Sequence, residues 1–210
     1  EGFSYKFIPI KNKIGATDPG LVDVNELYRK MTEVYSWDAL KAKGYYVDYQ
    51  NYYTFLGVLS QRAIYVNTAN ALIKAGENDK ALEILHRCEE NFPEENFPLE
   101  SIPIGFTSND YMVIQMASNY YKLGDAESGR DLAIRLSNRL LETAKFDLEF
   151  YDYASHDFET CGQYIYYLAD ELKKYGDTEI AEKIENNFNM LLRVASGDYG
   201  TEGRDSLRVN

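Results

Sequence analysis

Ala69, Gly76, Ala81 and Pro93 stand at successive offsets of seven, five and twelve residues inside QRAIYVNTANALIKAGENDKALEILHRCEENFP (61–93). Each residue type has a physical reason to sit where it does. Two helices approach closely only where the facing side chains are small, which suits Ala69 and Ala81. Gly76 takes the left-handed backbone conformation that ends a helix, and Asn78 or Asp79 is suited to starting the next. Pro93 cannot continue a helix and stops the second one. The stretch therefore predicts two antiparallel helices joined by a glycine turn.

The pattern recurs twice. Ala117, Gly124 and Gly129 hold the corresponding places in 108–141, and Ala169, Gly176 and Ala181 hold them in 163–193. Neither later unit has the proline, and Leu141 at that place lets the second helix run on. The small–Gly–small spacing is that of tetratricopeptide repeats, whose period is about 34 residues. Here the glycines lie 48 and 52 residues apart. The extra length requires extended helices or inserted loops, at 94–109 and 145–160. The expected fold is all-α: three tetratricopeptide-like helical hairpins stacked on one continuous core, which a single hairpin cannot build.

A chain that is 45% hydrophobic and 27% charged has the composition of a globular domain with a sizeable core. Its net charge of −12 repels nucleic-acid phosphates and anionic lipid. Cys88 and Cys161 are expected to be separate, buried and free, and their spacing has no metal signature. No run of 18 apolar residues exists to span a membrane. The chain starts with Glu rather than Met and has no signal peptide, so it reads as a piece of something longer or as a processed form.

Three regions are expected. Residues 1–48 form an N-terminal extended arm and short helices, 49–195 the helical repeat, and 196–210 a flexible tail. Phe3, Tyr5 and Phe7 alternate with polar residues as in a strand, and Pro9 confines any strand to an edge. A helix is expected over about 22–35, another turn around Trp37 and Leu40, and a long helix from Asp48, as its N-cap, to Ala75. Tyrosine is over-represented at 19 residues, clustered at Tyr45–Tyr53 and Tyr164–Tyr167. Adjacent tyrosines on a helix cannot both face the core, so some of them reach the surface.

Several segments in order, YKFIPI, DPGLVDVNELY, YSWDALK, YYVDYQN and then the 61–93 unit, resemble one family. It comprises large multi-spanning membrane proteins of Bacteroidetes, long listed as of unknown function and related to transmembrane protein O-mannosyltransferases. The similarity is to their soluble C-terminal region and covers roughly residues 1–195. It implies a non-catalytic domain on the periplasmic side of the inner membrane, because the family's catalytic acids lie in its membrane-embedded part. The implied partner is the acceptor polypeptide, or the membrane-embedded part of the same protein.

Repeat geometry gives the sharpest site hypothesis. First helices of tetratricopeptide units line the concave surface through their second, fifth, ninth, twelfth and thirteenth positions. The polar members here are Asn70, Tyr111, Ser118, Tyr121, Lys122, Gln163, Tyr166, Asp170, Lys173 and Lys174, suited to an extended peptide backbone or a carboxylate. The competing reading is an autonomous glycan-binding module that uses exposed tyrosines. Catalytic constellations are thin. His156 beside Asp152, Asp157 and Glu159 is the only grouping suggesting hydrolysis, and it reads better as a solvated helix face or loop. No P-loop, dinucleotide fingerprint, nucleophile elbow or calcium loop is present, and neither a cofactor nor a metal is expected.

Overall fold

The computed structural model describes residues 23–45, 58–99, 103–104 and 107–196. The expected N-terminal arm, the Asp48 cap and the tail fall outside them. Among the described residues, α1 (Val24–Arg29) continues into a π-helical turn (Lys30–Val34), and a 3₁₀ turn follows (Asp38–Lys41). Three hairpins come next: α2 (Val58–Lys74) with α3 (Asn78–Asn91), α4 (Asn109–Lys122) with α5 (Ala126–Glu149), and α6 (Tyr151–Lys174) with α7 (Thr178–Ala195). A two-residue antiparallel ladder, Pro103–Ile104 against Thr107–Ser108, precedes α4. The fold is all-α, a stack of helical hairpins.

Each hairpin closes in the same way. Gly76, Gly124 and Gly176 have φ of 80°, 87° and 89°, a region open to glycine and strained for other residues. In each, the glycine N–H bonds back to the third residue before it, and the next residue's N–H to the fifth residue before itself. Examples are Glu77 to the Leu72 carbonyl at 2.9 Å, Asp125 to Tyr120 at 2.9 Å and Asp177 to Leu172 at 3.1 Å. These two bonds satisfy carbonyls that the helix end would otherwise leave unpaired. Helix α3 starts at Asn78 with Asp79 in its first turn, while the cap position before them is Glu77, without a side-chain bond.

The small residues sit where the helices meet: Ala69, Ala81, Ala133, Ala169 and Ala181 have no exposed surface. A Cβ on Gly162 would fall 2.5 Å from the Phe188 ring, so a larger residue at that crossing must displace the ring. First helices α2, α4 and α6 pack side by side, and α5 also packs on both α6 and α7. Pro93 follows the end of α3 as expected. The added length at 145–160 proves to be helix, with α5 running to Glu149 and α6 starting at Tyr151 across the single residue Phe150.

The N-terminal segment is fastened to the first hairpin. Met31 is buried, the Tyr28 hydroxyl donates to Glu83, and Trp37 Nε1 donates to the Tyr65 hydroxyl at 3.1 Å. Arg62, 4% exposed, donates to Asn109 Oδ1 at 2.9 Å and the Phe97 carbonyl at 3.2 Å, tying α2 to α4. Cys88 and Cys161 are buried and free, as the sequence indicates.

Candidate functional site

The first helices meet along a seam that is polar and aromatic rather than apolar. Ser108 caps α4 by accepting the Tyr111 N–H at 3.1 Å, and its hydroxyl donates to the Tyr164 hydroxyl at 2.6 Å. Going down the seam, Tyr111 stacks on Tyr167, with centroids 6.0 Å apart and planes at 8°. Gln115 Nε2 donates to the same Tyr167 hydroxyl at 3.3 Å. Ser118 Oγ donates to Glu171 Oε2 at 2.8 Å and lies 3.1 Å from the Tyr175 hydroxyl.

A second tyrosine pair, Tyr121 and Tyr175, stacks at 4.8 Å and 7°. Below it the Tyr121 hydroxyl donates to Asp177, which Arg130 grips with both arms of its guanidinium at 2.7 and 3.0 Å. On the other side of α4, Asn119 Nδ2 donates to Asn70 Oδ1 at 2.7 Å, and Lys122 Nζ reaches Asn119 Oδ1 at 3.4 Å.

Electrostatics follow from these contacts. The Arg130 bonds hold Asp177 below the usual carboxylate range, and the Tyr121 hydroxyl bond adds to this. Burial works against ionisation of Glu171, yet Lys174 and Ser118 keep it low. Burial and the neighbouring Asp177 push the Tyr121 hydroxyl far up, so it stays a donor. The hydroxyls, amides and carboxylates of the seam thus hold one another as donors and acceptors.

The sequence-derived positions divide into two sets. Asn70, Tyr111, Ser118, Tyr121, Lys122 and Lys174 gather on or beside the seam. Tyr166 and Lys173 instead turn toward α7: the Tyr166 hydroxyl donates to Asn189 Oδ1 at 2.7 Å, and Lys173 pairs with Glu185 at 2.5 Å. Asp170 lies 4.0 Å from Lys173, and Gln163 is exposed. The face of α6 that meets α4 carries Tyr164, Tyr167, Glu171 and Tyr175, one residue round from the carried-over positions. One residue is about 100° on a helix, which decides which partner a side chain meets. Tyr164, Tyr167, Glu171 and Tyr175 put one tyrosine or acid on this face per turn, a spacing that does not by itself say which neighbour the face meets.

Solvent reaches part of the seam. Tyr111 is 39% exposed, and Lys74, Lys122 and Lys174, each two residues before a turn glycine, are exposed at the ends of the three first helices. Elsewhere, a hollow of about 600 Å³ along the outer face of α7 is wide open and lined by residues of one helix and its cap, such as Asn189, Met190 and Arg193. A cavity of about 90 Å³ between Arg62, Cys88, Glu89 and Arg135 suits a few water molecules. His156, Asp152, Asp157 and Glu159 are at least partly solvent-facing along α6, and no group of three His, Cys, Asp or Glu among the described residues is placed to hold a metal ion. Among the described residues no helix is long and apolar enough to cross a membrane. No protein-family model matches the chain, and no curated protein or solved structure matches it significantly.

Proposed function

We propose that this chain is a non-catalytic binding module whose first-helix face holds an extended polypeptide. The observation that carries this is the Tyr111–Tyr167 pair, open to solvent, flanked by the Gln115 amide and followed by Lys122 and Lys174. Aromatic faces supply contact area at low entropic cost, amides pair with a peptide backbone, and lysines attract a carboxylate. A lysine row in a chain of net charge −12 also selects the sign of what lands there.

The family resemblance adds a setting. In this reading the module belongs to a glycosyltransferase-like membrane protein and engages its acceptor on the periplasmic side, or packs on its catalytic part. Cell fractionation with an antibody against this region checks that setting. A detergent-extracted band several-fold larger than the 210-residue chain supports it, and a soluble band of this length removes it.

Selection of peptides from a displayed library on the intact chain tests the binding itself. Tyr111→Ala and Lys122→Ala are each expected to weaken selected peptides about tenfold, the loss typical of a contact worth ~1.4 kcal/mol. Undiminished binding by both variants would reject the first-helix face. Exposed tyrosine rings also suit sugar faces, and loss of oligosaccharide binding alone in the Tyr111→Ala chain would establish the glycan reading instead.

A further inference from the structure

The corner between α5 and α6 carries a second surface that the seam does not use. Phe146, Phe150 and Tyr153 are 63%, 50% and 93% exposed, although large aromatic side chains are normally among the more buried. The Phe146 and Phe150 rings lie 5.1 Å apart and form one projecting pair, and Tyr153, whose N–H bonds to the Phe150 carbonyl at 2.8 Å, is exposed close by in the chain. The corner is built firmly. Tyr151 sets its ring edge-on against buried Phe158, 5.6 Å away, and Ala154 leaves helical geometry at φ −114° and ψ 17° to turn the chain.

Charge says what fits there. Residues 142–159 hold six carboxylates and one lysine, Lys145. Glu149, Asp152 and Asp157 are exposed beside or shortly after the rings. Asp147, 6% exposed, has a carboxylate oxygen with no hydrogen-bond donor among the described residues. An acidic frame around aromatic faces attracts ammonium and guanidinium groups twice, through the carboxylates and through the rings. It repels a second copy of the same corner, and it repels anionic lipid.

We infer that the α5–α6 corner is a docking surface for a basic polypeptide segment that presents apolar side chains between its lysines or arginines. This surface is separate from the first-helix face, and neither depends on the other.

Fluorescence anisotropy on the whole chain tests it, with a labelled 14-residue peptide carrying lysine and leucine at helical spacing as the probe. The peptide is expected to bind at physiological salt, with at least tenfold weaker binding to oligolysine and to the same peptide with glutamate for lysine. Replacing Phe146, Phe150 and Tyr153 together by serine is expected to cost at least tenfold while leaving the circular dichroism spectrum unchanged. Glu149→Gln with Asp152→Asn, which touches no core residue, is expected to weaken binding and flatten its salt dependence. Equal affinity for oligolysine or for the glutamate peptide overturns the inference, as does full binding by the serine variant. So does loss of binding on Tyr111→Ala, which would place the probe on the first-helix face, or a sedimenting dimer that the serine variant abolishes. Binding to neutral phosphatidylcholine vesicles that the serine variant loses would assign the patch to a membrane surface, and so overturn it too.

Discussion

At Gly162 two general effects oppose each other. An alanine in place of a glycine inside a helix ordinarily stabilises by about 0.4–1 kcal/mol. Here the new Cβ would stand 2.5 Å from two atoms of the Phe188 ring, which is 2% exposed and braced by Phe158 and Tyr166. Overpacking of this kind costs about 1–3 kcal/mol, so Gly162→Ala is expected to lower the urea midpoint. A rise would mean the ring has room to move. Asp147 is expected to act in the opposite direction. Burial and the Asp157 charge raise its pKa above the ordinary carboxylate value. A carboxyl with a raised folded pKa keeps its proton longer in the native state, so its cost to stability is absent in acid and grows as pH rises toward neutrality. Asp147→Asn is therefore expected to raise the melting temperature by a few degrees at pH 7 and by less at pH 3. Equal shifts at both values would contradict the assignment.

Among the elements, one side chain makes several of the contacts that join the first two hairpins. Arg135 on α5 pairs with Glu89 at 2.5 Å, Glu94 at 3.0 Å and Asp131 at 2.7 Å, so it ties its own helix to the end of α3. The Tyr120 hydroxyl donates to Glu89 as well, at 2.7 Å. A planar fork with donors in several directions makes these contacts, and an ammonium group does not. Since Arg135, Glu89 and Glu94 are each about one-third exposed and Asp131 is more so, Arg135→Ala is expected to cost roughly 1 kcal/mol in urea unfolding, and Arg135→Lys to recover little of it. Full recovery by lysine would show that charge alone suffices. The elements themselves were largely legible in the sequence. Gly76, Gly124 and Gly176 mark three helix ends, and Leu141 in the place of the proline signals the long α5. What could not be read was the rotation of α6. Tyr166 and Tyr167 look alike as letters, and only packing against α4 on one side and α7 on the other sends one to Asn189 and the other to Tyr111. The corner was illegible for a related reason: Asp152 to Glu159 resembles a loop by polarity, yet α5 and α6 continue through this region as helix, interrupted only at Phe150 and Ala154.

Across the whole molecule, each hairpin touches chiefly its neighbours, so stability is distributed along the stack and each end has its own resistance to opening. The first hairpin is covered by α1 and the Trp37 segment, while among the described residues α7 has no further hairpin beyond it. The two thiols lie at opposite ends of this arrangement, Cys88 in α3 and Cys161 in α6, and burial pushes each up to about 12. Neither is a thiolate at neutral pH, and neither is accessible until its hairpin opens. The chain thus contains two intrinsic clocks. Alkylation under native conditions, followed by peptide mass analysis, is expected to label Cys161 before Cys88, timing the fraying of one terminus against the other. Identical rates would mean that the three hairpins open as a single unit, and that a ligand gripping any one of them steadies them all.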